Sequence, residues 1–264
     1  MNDMIPNKLQ LHGRSKKPRS KGLTSIIDYG PDSLGWTGER GVADLLDCAS
    51  EYIDFAKIYA LNALLIPSSK VKSIVGLYQD AAITCYSGGI LFEHAYRRGQ
   101  VAELLTLLAS LGFKALEISE NYIELTDDER QKYFDQCEKS GFTVIYEFGR
   151  KNPQSAISLY ELSRLVNNAI ESGVAHIIVE QSEILMTARE DPSILKAMTQ
   201  EKWFDRILIE ADAFQFPQQH VGLLKDFGKD VSLANIAPGQ ALRLEGLRQG
   251  VGRAVDYSMF HSDD

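Results

Sequence analysis

The sequence predicts an α/β fold, and within that class a single (β/α)8 TIM barrel. Eight short strand-like runs recur along the chain, and each is followed by a segment with helical spacing or a helix-start signal. The runs begin about 20 to 35 residues apart, with no linker-like gap after residue 22. The 264 residues also suit such a barrel, which typically needs about 250. A doubly wound open sheet is the alternative that these observations leave open.

The predicted strands are short and mostly apolar. They cover Leu23–Asp28, Tyr52–Ile58, Ala82–Tyr86, Ala115–Ser119, Thr143–Glu147, His176–Glu180, Arg206–Glu210 and Val231–Ile236. Two of them contain the uninterrupted apolar runs Ile177–Val179 and Ile207–Ile209. Such runs are typical of parallel strands that are covered on both faces, whereas half-exposed antiparallel strands alternate. The pattern therefore favours a parallel sheet.

Capping residues and glycines mark the predicted helices between the strands. Thr126 and Glu129 have the spacing of a capping box before a helix over Arg130–Lys139, and Ser158 and Glu161 repeat that spacing before the next helix. Glycines that follow a helical run and precede a strand are typical of helix ends. They are Gly112, Gly141, Gly173 and Gly228.

Charge divides the chain into a basic arm and an acidic body. The whole chain has 28 basic and 36 acidic residues, for a formal charge of −8. The first 22 residues contain six lysines and arginines against one aspartate and show no apolar period. We predict a basic, flexible arm over residues 1–21, a barrel over residues 22–255 and a tail over residues 256–264.

Composition argues against several classes of protein. The acidic balance makes a nucleic-acid partner unexpected. No apolar run approaches the roughly 20 residues of a membrane-spanning helix, and the apolar stretch of a secretory signal is missing. Cys48, Cys85 and Cys137 are odd in number and widely spaced, which suits reduced thiols. We therefore expect a cytoplasmic protein with neither a membrane nor a nucleic acid as its partner.

Polar residues recur where the predicted strands end. In a barrel of this kind the active site lies at the carboxyl ends of the strands, so these residues are the candidates for function. They are Asp28, Lys57, Ser87, Gly88, Gly89, Glu117, Ser119, Glu147, Arg150, Lys151, Glu180, Glu210 and Asn235. A solvated loop acid is the alternative for each carboxylate taken singly. Their recurrence at the same phase favours a functional site.

Carboxylates that converge on one end of a barrel repel one another and need a cation. Lys57, Arg150 and Lys151 are candidates, and so is a bound metal. Oxygen ligands suit a hard ion such as Mg2+, whereas zinc would usually take histidine or cysteine, which are missing from these strand ends. A magnesium site is therefore the expectation.

Two glycine-containing turns could hold an anion. Ser87–Gly89 ends the third predicted strand and opens a helix, so bare backbone N–H groups could point at a phosphate or carboxylate. Asn235–Gln240 has the same position after the eighth strand. An ordinary turn is the alternative at both places.

A set of short motifs runs in order from Gly22 to Arg253. It comprises Asp28–Gly30, Tyr52–Lys57, Gly88–Glu93, Glu117–Ser119, Glu147–Lys151, Ile178–Glu180, Ile209–Ala211, Leu233–Ile236 and Glu245–Arg248. Each motif is weak alone, but the ordered set resembles the phosphosulfolactate synthase family with its plant heat-stress-associated relatives.

The resemblance implies a (β/α)8 barrel that adds sulfite to phosphoenolpyruvate with the help of Mg2+. It implies Lys151 as proton donor and Lys57 as the residue that binds the phosphate or carboxylate of the substrate, with Glu147 completing the catalytic set. We predict Glu117, Glu180 and Glu210 as metal ligands. The remaining strand-end residues would contact a small anionic phosphorylated or carboxylated substrate: Asp28, Ser87, Gly88, Gly89, Ser119, Arg150 and Asn235. The resemblance also implies a homo-oligomer.

The chain departs from the family pattern at several positions. Tyr29 stands where the family has a lysine, and the bulky stretch 58–62 replaces a glycine-rich one. Ser182 stands where the family has an arginine, so two cations are missing from a site that must hold anions. The alternative function is a family member that lost the reaction and serves as a binding or stress-related protein. Unrelated sugar or keto-acid chemistry on the same fold is a third possibility.

Overall fold

Eight parallel strands close into one barrel in a computed structural model that describes residues 14–256. We label them β1 to β8: Thr24–Asp28, Phe55–Ile58, Thr84–Ser87, Ala115–Ser119, Thr143–Phe148, His176–Val179, Ile207–Glu210 and Leu233–Ile236. Each strand pairs with the next along the chain, and β8 pairs with β1. The prediction of a (β/α)8 TIM barrel is therefore confirmed, and closure of the sheet excludes the doubly wound alternative.

Helices cover the outside of the barrel between successive strands. We label them α1 to α11: Glu39–Ala49, Asn62–Leu65, Ser68–Asp80, Gly89–Tyr96, Val101–Ser110, Asp127–Lys139, Leu159–Glu171, Gln181–Glu190, Ser193–Met198, Gln218–Phe227 and Ala241–Arg248. Thr126 and Glu129 form the predicted capping box, and Ser158 caps α7. None of the helices in the described range is long and apolar enough to cross a membrane.

Several strand boundaries differ from the prediction, and three of them have a local reason. The second strand begins at Phe55 because the preceding residues form a 3-10 turn over Ser50–Tyr52. The third begins at Thr84, and the φ of 55° at Ala82 lies in the left-handed region rather than in the extended one. The sixth ends at Val179 because the Glu180 side chain caps α8.

The barrel interior is built in two layers. The lower layer, towards the amino-terminal ends of the strands, is apolar and consists of Leu23, Tyr86, Ala115, Ile145, Ile178, Leu208 and Ala234, with Phe55 packed against it. Successive strand residues point to opposite faces, so inward-facing residues recur every two positions. Two positions beyond members of the lower layer stand Lys57, Glu117, Glu147, Glu180 and Glu210. The alternation of the strands therefore places one lysine and four glutamates together above the apolar layer.

The chain before β1 lies against the amino-terminal end of the barrel. Arg14 forms an ion pair with Glu245 of α11 at 2.5 Å, and Arg19 forms one with Asp54 at 3.1 Å. Residues 1–13 of the predicted arm and residues 257–264 of the predicted tail lie outside the described range. The described end of the arm is thus bound to the barrel by charged groups.

Candidate active site

Lys57 is the lysine among the four glutamates above the apolar layer, a set that we call the charged layer, and it contacts two of these glutamates. Its Nζ is 2.8 Å from Glu117 Oε2 and 3.5 Å from Glu147 Oε2, and the side chain is 5% exposed. Burial by itself lowers the pKa of Lys57, but the carboxylates of Glu117 and Glu147 raise it well above its usual value. The amine therefore stays protonated and balances part of the negative charge of the site.

Glu117 joins this lysine to the start of α4. Its Oε1 accepts a hydrogen bond from the Gly89 backbone N–H at 2.8 Å. Burial raises the pKa of Glu117 to about 7, while Lys57 acts in the opposite direction and Glu147 in the same one. A side chain at position 89 would collide with Ser119, which explains the glycine. Helix α4 can start here only because residue 89 has no Cβ.

The turn after β3 uses its backbone N–H groups within the protein. The N–H of Gly88 donates to the Ile58 carbonyl at 3.0 Å, and the N–H of Gly89 donates to Glu117. Both donors of the predicted anion-binding turn therefore have protein acceptors in this structure. Ser87 is buried at the end of β3. A substrate contact of Ser87 remains a prediction.

Glu147, Glu180 and Glu210 form a second group on the adjacent strands β5 to β7. They are buried, and one carboxylate oxygen from each lies within 4.8 Å of the others. Glu147 also accepts a hydrogen bond from Asn121 Nδ2 at 2.6 Å. The structure thus brings Glu147 together with Glu180 and Glu210, whereas the prediction had placed Glu117 there. Glu117 lies instead on β4, next to Lys57.

Lys151 reaches this carboxylate group from the loop after β5. Its Nζ forms an ion pair with Glu180 and lies 3.6 Å from Glu210 Oε1. Burial lowers the pKa of Lys151, but Glu210, Glu147 and Glu180 outweigh it and raise the value. The side chain is 35% exposed. Lys151 therefore contacts the carboxylates and is also accessible from the end of the barrel at the carboxyl ends of the strands, which we call the open end.

The two neighbouring carboxyl groups of Glu180 and Glu210 differ in proton affinity. Burial, Glu147 and Glu180 raise the pKa of Glu210 well above its usual value. Burial acts against ionisation of Glu180 as well, but hydrogen bonds from Glu210 and Lys151 lower its pKa. Of the two carboxyl groups, Glu210 therefore has the higher proton affinity. This is the expected outcome when like charges share a buried site.

Asn235 orients Glu210 from the neighbouring strand β8. Its Nδ2 donates to Glu210 Oε1, and the second oxygen of Glu210 accepts from the Gln181 N–H at 3.2 Å. Asn235 has a φ of 58°, in the left-handed region that asparagine tolerates better than most residues. A turn in the backbone thus directs this amide at the carboxylate.

The other three predicted substrate contacts have partners within the protein. Asp28 accepts hydrogen bonds from the Gly30 N–H and the Tyr78 hydroxyl, each at 2.8 Å, and also from Thr37. It therefore holds the loop that follows β1. Ser119 donates to Glu93 on α4. Arg150 pairs with Glu124 at the surface, where its side chain is 64% exposed.

Tyr29 and Asn121 contribute to the site, although neither was among the site residues predicted from the strand ends. The rings of Tyr29 and Tyr59 are 4.8 Å apart. Burial and Tyr59 raise the pKa of Tyr29 to about 12, while Lys57 acts to lower it. Asn121 lies on the loop after β4 and bonds Glu147. Neither residue ends a strand, so alternation along the strands carried no signal for them.

The residues present fit a magnesium ion by their chemistry. Glu147, Glu180 and Glu210 offer three buried carboxylates at short mutual distances, and Mg2+ prefers such oxygen ligands. Lys151 is the described cation that contacts two of them. Four glutamates lie beside two lysines, Lys57 in the same layer and Lys151 on the loop after β5, so an anionic ligand would need additional positive charge.

Solved structures with the same fold have little sequence identity to the chain. The 3-hexulose-6-phosphate synthase of Salmonella typhimurium is 12% identical, with a TM-score of 0.53 over 86% of this chain and 98% of that one. The dihydrodipicolinate synthase of Agrobacterium tumefaciens is 15% identical, with a TM-score of 0.53 over 87% and 75%. These similarities show the barrel fold alone.

Sequence relatives identify the family. The phosphosulfolactate synthase of Methanocaldococcus jannaschii is 31% identical over 88% of this chain and 92% of its own length. The enzyme of the same name from Methanothermobacter thermautotrophicus is 32% identical over 90% and 92%. The sequence profile of (2R)-phospho-3-sulfolactate synthase (ComA) matches residues 12–253. Because this profile covers nearly the whole chain, the protein belongs to the (2R)-phospho-3-sulfolactate synthase family.

Proposed function

We propose that the protein adds sulfite to phosphoenolpyruvate to give phosphosulfolactate. The observation that carries the proposal is the group of Glu147, Glu180 and Glu210 with Lys151, placed at the open end of a barrel of this family. Three carboxylates and a partly exposed lysine provide what the addition needs, namely a place for a divalent cation and a proton source.

Each residue has a distinct part in the proposed reaction. Glu147, Glu180 and Glu210 would hold Mg2+, which when bound stabilises negative charge that develops on the substrate carboxylate. The sulfur of sulfite forms a bond to the methylene carbon of phosphoenolpyruvate, and the electron pair of the double bond moves towards the neighbouring carbon and its carboxylate. Lys151 donates a proton to that neighbouring carbon, so the phosphate ester is retained in the product.

The two lysines would act differently because of their exposure. Lys151 is 35% exposed and reaches the open end, whereas Lys57 is 5% exposed and lies against Glu117 and Glu147. We therefore propose Lys151 as the proton donor. Lys57 would keep Glu117 and Glu147 in place and balance their charge, in addition to the role in anion binding expected from the resemblance.

The test is incubation of the purified protein with phosphoenolpyruvate, sulfite and Mg2+. Loss of the enol absorbance and appearance of a phosphate-ester product in the 31P NMR spectrum are the expected results. Omitting Mg2+ should abolish them. Absence of turnover, together with a Tm that neither Mg2+ nor phosphoenolpyruvate raises, would contradict the proposal.

A second candidate function is binding without catalysis, and the aromatic pair at the open end favours it. Tyr29 and Tyr59 pack together where a cation would help to bind an anion. Replacing Tyr29 with lysine should lower the KM for phosphoenolpyruvate about tenfold, since a charge-assisted contact contributes roughly 1.5–3 kcal/mol. The Tyr29→Phe variant is the control. Ligand-dependent stabilisation without turnover, in the wild type and in Tyr29→Lys, would support the binding protein.

We also propose that the protein is a cytoplasmic homo-oligomer. The three cysteines are free, and Cys85 and Cys137 are buried, which suits a reducing compartment. Trp36, Leu65 and Phe214 are 74–75% exposed in the segments that follow β1, β2 and β7, where an association surface would bury them. Light scattering after gel filtration should show a mass above that of the 29.5 kDa chain. A monomer at micromolar concentration would contradict this.

A further inference from the structure

We propose that Asn121 is a positioning residue for Glu147, and that the buried carboxylate of Glu93 holds Asn121 in place. The consequence for Mg2+ binding and turnover rests on the proposed function. The contact itself does not depend on it. Neither residue ends a strand, and both act through other groups.

Glu93 attaches the loop after β4 to helix α4. Glu93 is 3% exposed, and its Oε1 accepts hydrogen bonds from the Ser119 hydroxyl and from the Asn121 N–H at 2.9 Å. Its Oε2 accepts from the Tyr122 N–H at 3.0 Å. All three donors come from residues 119–122. A single buried carboxylate therefore fixes the backbone of this loop.

The loop after β4 contacts the charged layer through the side chain of Asn121. Asn121 Nδ2 donates to Glu147 Oε1 at 2.6 Å, and the other oxygen of Glu147 faces Lys57 at 3.5 Å. The two oxygens of Glu147 thus have one hydrogen-bond partner each within residues 14–256. Removing the amide would leave Lys57 as the remaining described partner and free the carboxylate to rotate.

The neutral amide of Asn121 suits the neighbouring carboxylate chemically. A neutral donor orients the Glu147 carboxylate without placing a second positive charge against it, and a divalent cation binds best to carboxylates that are not already neutralised. The Oδ1 of Asn121 is buried and has no hydrogen-bond partner within residues 14–256. An aspartate in its place would set two carboxylate oxygens against each other.

The test compares Asn121→Ala, Asn121→Asp and Glu93→Gln with the control Tyr122→Ala. Tyr122 lies on the same loop with a side chain that is 61% exposed, and this variant keeps its backbone bond to Glu93. The first readout is the metal-free crystal structure of each protein. In Asn121→Ala the Glu147 carboxylate should leave its wild-type position, and in Tyr122→Ala it should not. An unmoved Glu147 in Asn121→Ala overturns the proposal.

The second readout is the Kd for Mg2+ by titration calorimetry, without substrate. We expect Asn121→Ala to weaken binding about 10- to 100-fold, as loss of a residue that orients a metal ligand usually does. Glu93→Gln should weaken it too, but should add little in the Asn121→Ala background, because Glu93 acts through Asn121. Equal Kd values for Asn121→Ala and Tyr122→Ala overturn the proposal. A wild type that binds no Mg2+ would count against the proposed function, and the crystal structures would then decide this inference.

Discussion

Lys57 and Lys151 show how burial separates two residues of the same type. Lys57 contacts Glu117 and Glu147 below the surface, whereas Lys151 contacts Glu180 and Glu210 at the open end. Breaking a buried ion pair leaves an uncompensated charge and costs about 3–5 kcal/mol, whereas a partly exposed pair contributes far less. Lys57 is therefore the more important of the two lysines for stability, whereas Lys151 is the one that is accessible from the open end of the barrel.

The residue-scale prediction compares Lys151→Ala with Lys57→Met. Lys151→Ala should lower kcat at least about 100-fold, because it removes the proposed proton donor, and should lower the free energy of unfolding less than Lys57→Met does, because Lys151 is partly exposed. Lys57→Met should lower the free energy of unfolding by about 3–5 kcal/mol. Steady-state kinetics and urea denaturation provide the measurements. An unchanged kcat in Lys151→Ala removes this residue from the proton-donor role.

At the scale of elements, close approach of the β4 side chains to the start of α4 explains a glycine. A Cβ at Gly89 would collide with the Ser119 side chain, whereas a Cβ at Gly76 of α3 would meet nothing within 4 Å. Gly89→Ala should lower the free energy of unfolding by about 1–3 kcal/mol. The control Gly76→Ala should raise it by about 0.5–1 kcal/mol, because alanine is the better helix residue. Similar effects of both substitutions on urea denaturation would refute this account of α4.

A second element-scale prediction concerns the segment before β1. The Arg19 side chain is fully buried and pairs with Asp54, which also accepts the Thr24 N–H at the start of β1. Arg19→Met should lower the free energy of unfolding by about 3–5 kcal/mol, because Asp54 loses its buried partner. In the control Lys21→Ala the lost pair with Asp205 is exposed, so a change within about 1 kcal/mol is expected. Equal Tm values for the two variants would show that the segment does not stabilise the barrel.

For the whole molecule, buried histidines predict acid sensitivity. Burial lowers the pKa of His176 and of His220 to about 4, while an unfolded chain would take up these protons near pH 6.5. The contribution of these histidines to stability is therefore complete above pH 6.5 and falls as the pH drops towards 4, by up to about 3 kcal/mol for each histidine. His220 is fully buried beside Phe216. His220→Phe should make the loss of stability between pH 7 and pH 5 shallower, which denaturation at each pH would measure; parallel curves would contradict the assignment.

Local periodicity was sufficient for the strands and helices but not for closure of the sheet. Apolar runs, capping residues and helix-ending glycines are properties of short segments, so eight strands alternating with helices followed from the chain alone. The open-sheet alternative was excluded only by the structure. The boundaries at Ala82 and Glu180 differed because a positive φ and a helix cap shortened the strands there. The position of charged residues at the predicted strand ends also predicted that they would meet at one end of the barrel.

Only the tertiary structure decided which charged residues are partners. Lys57 and Glu147 lie 90 positions apart in the sequence, and Asn121 and Glu147 lie 26 apart, yet each pair is in contact. Glu117 belongs with Lys57, and Glu147 takes its place beside Glu180 and Glu210. The physical reason is that strand alternation only places a side chain inside the barrel. Barrel closure and the βα loops determine which neighbour it bonds and how deeply it is buried, and these two determine how its pKa shifts.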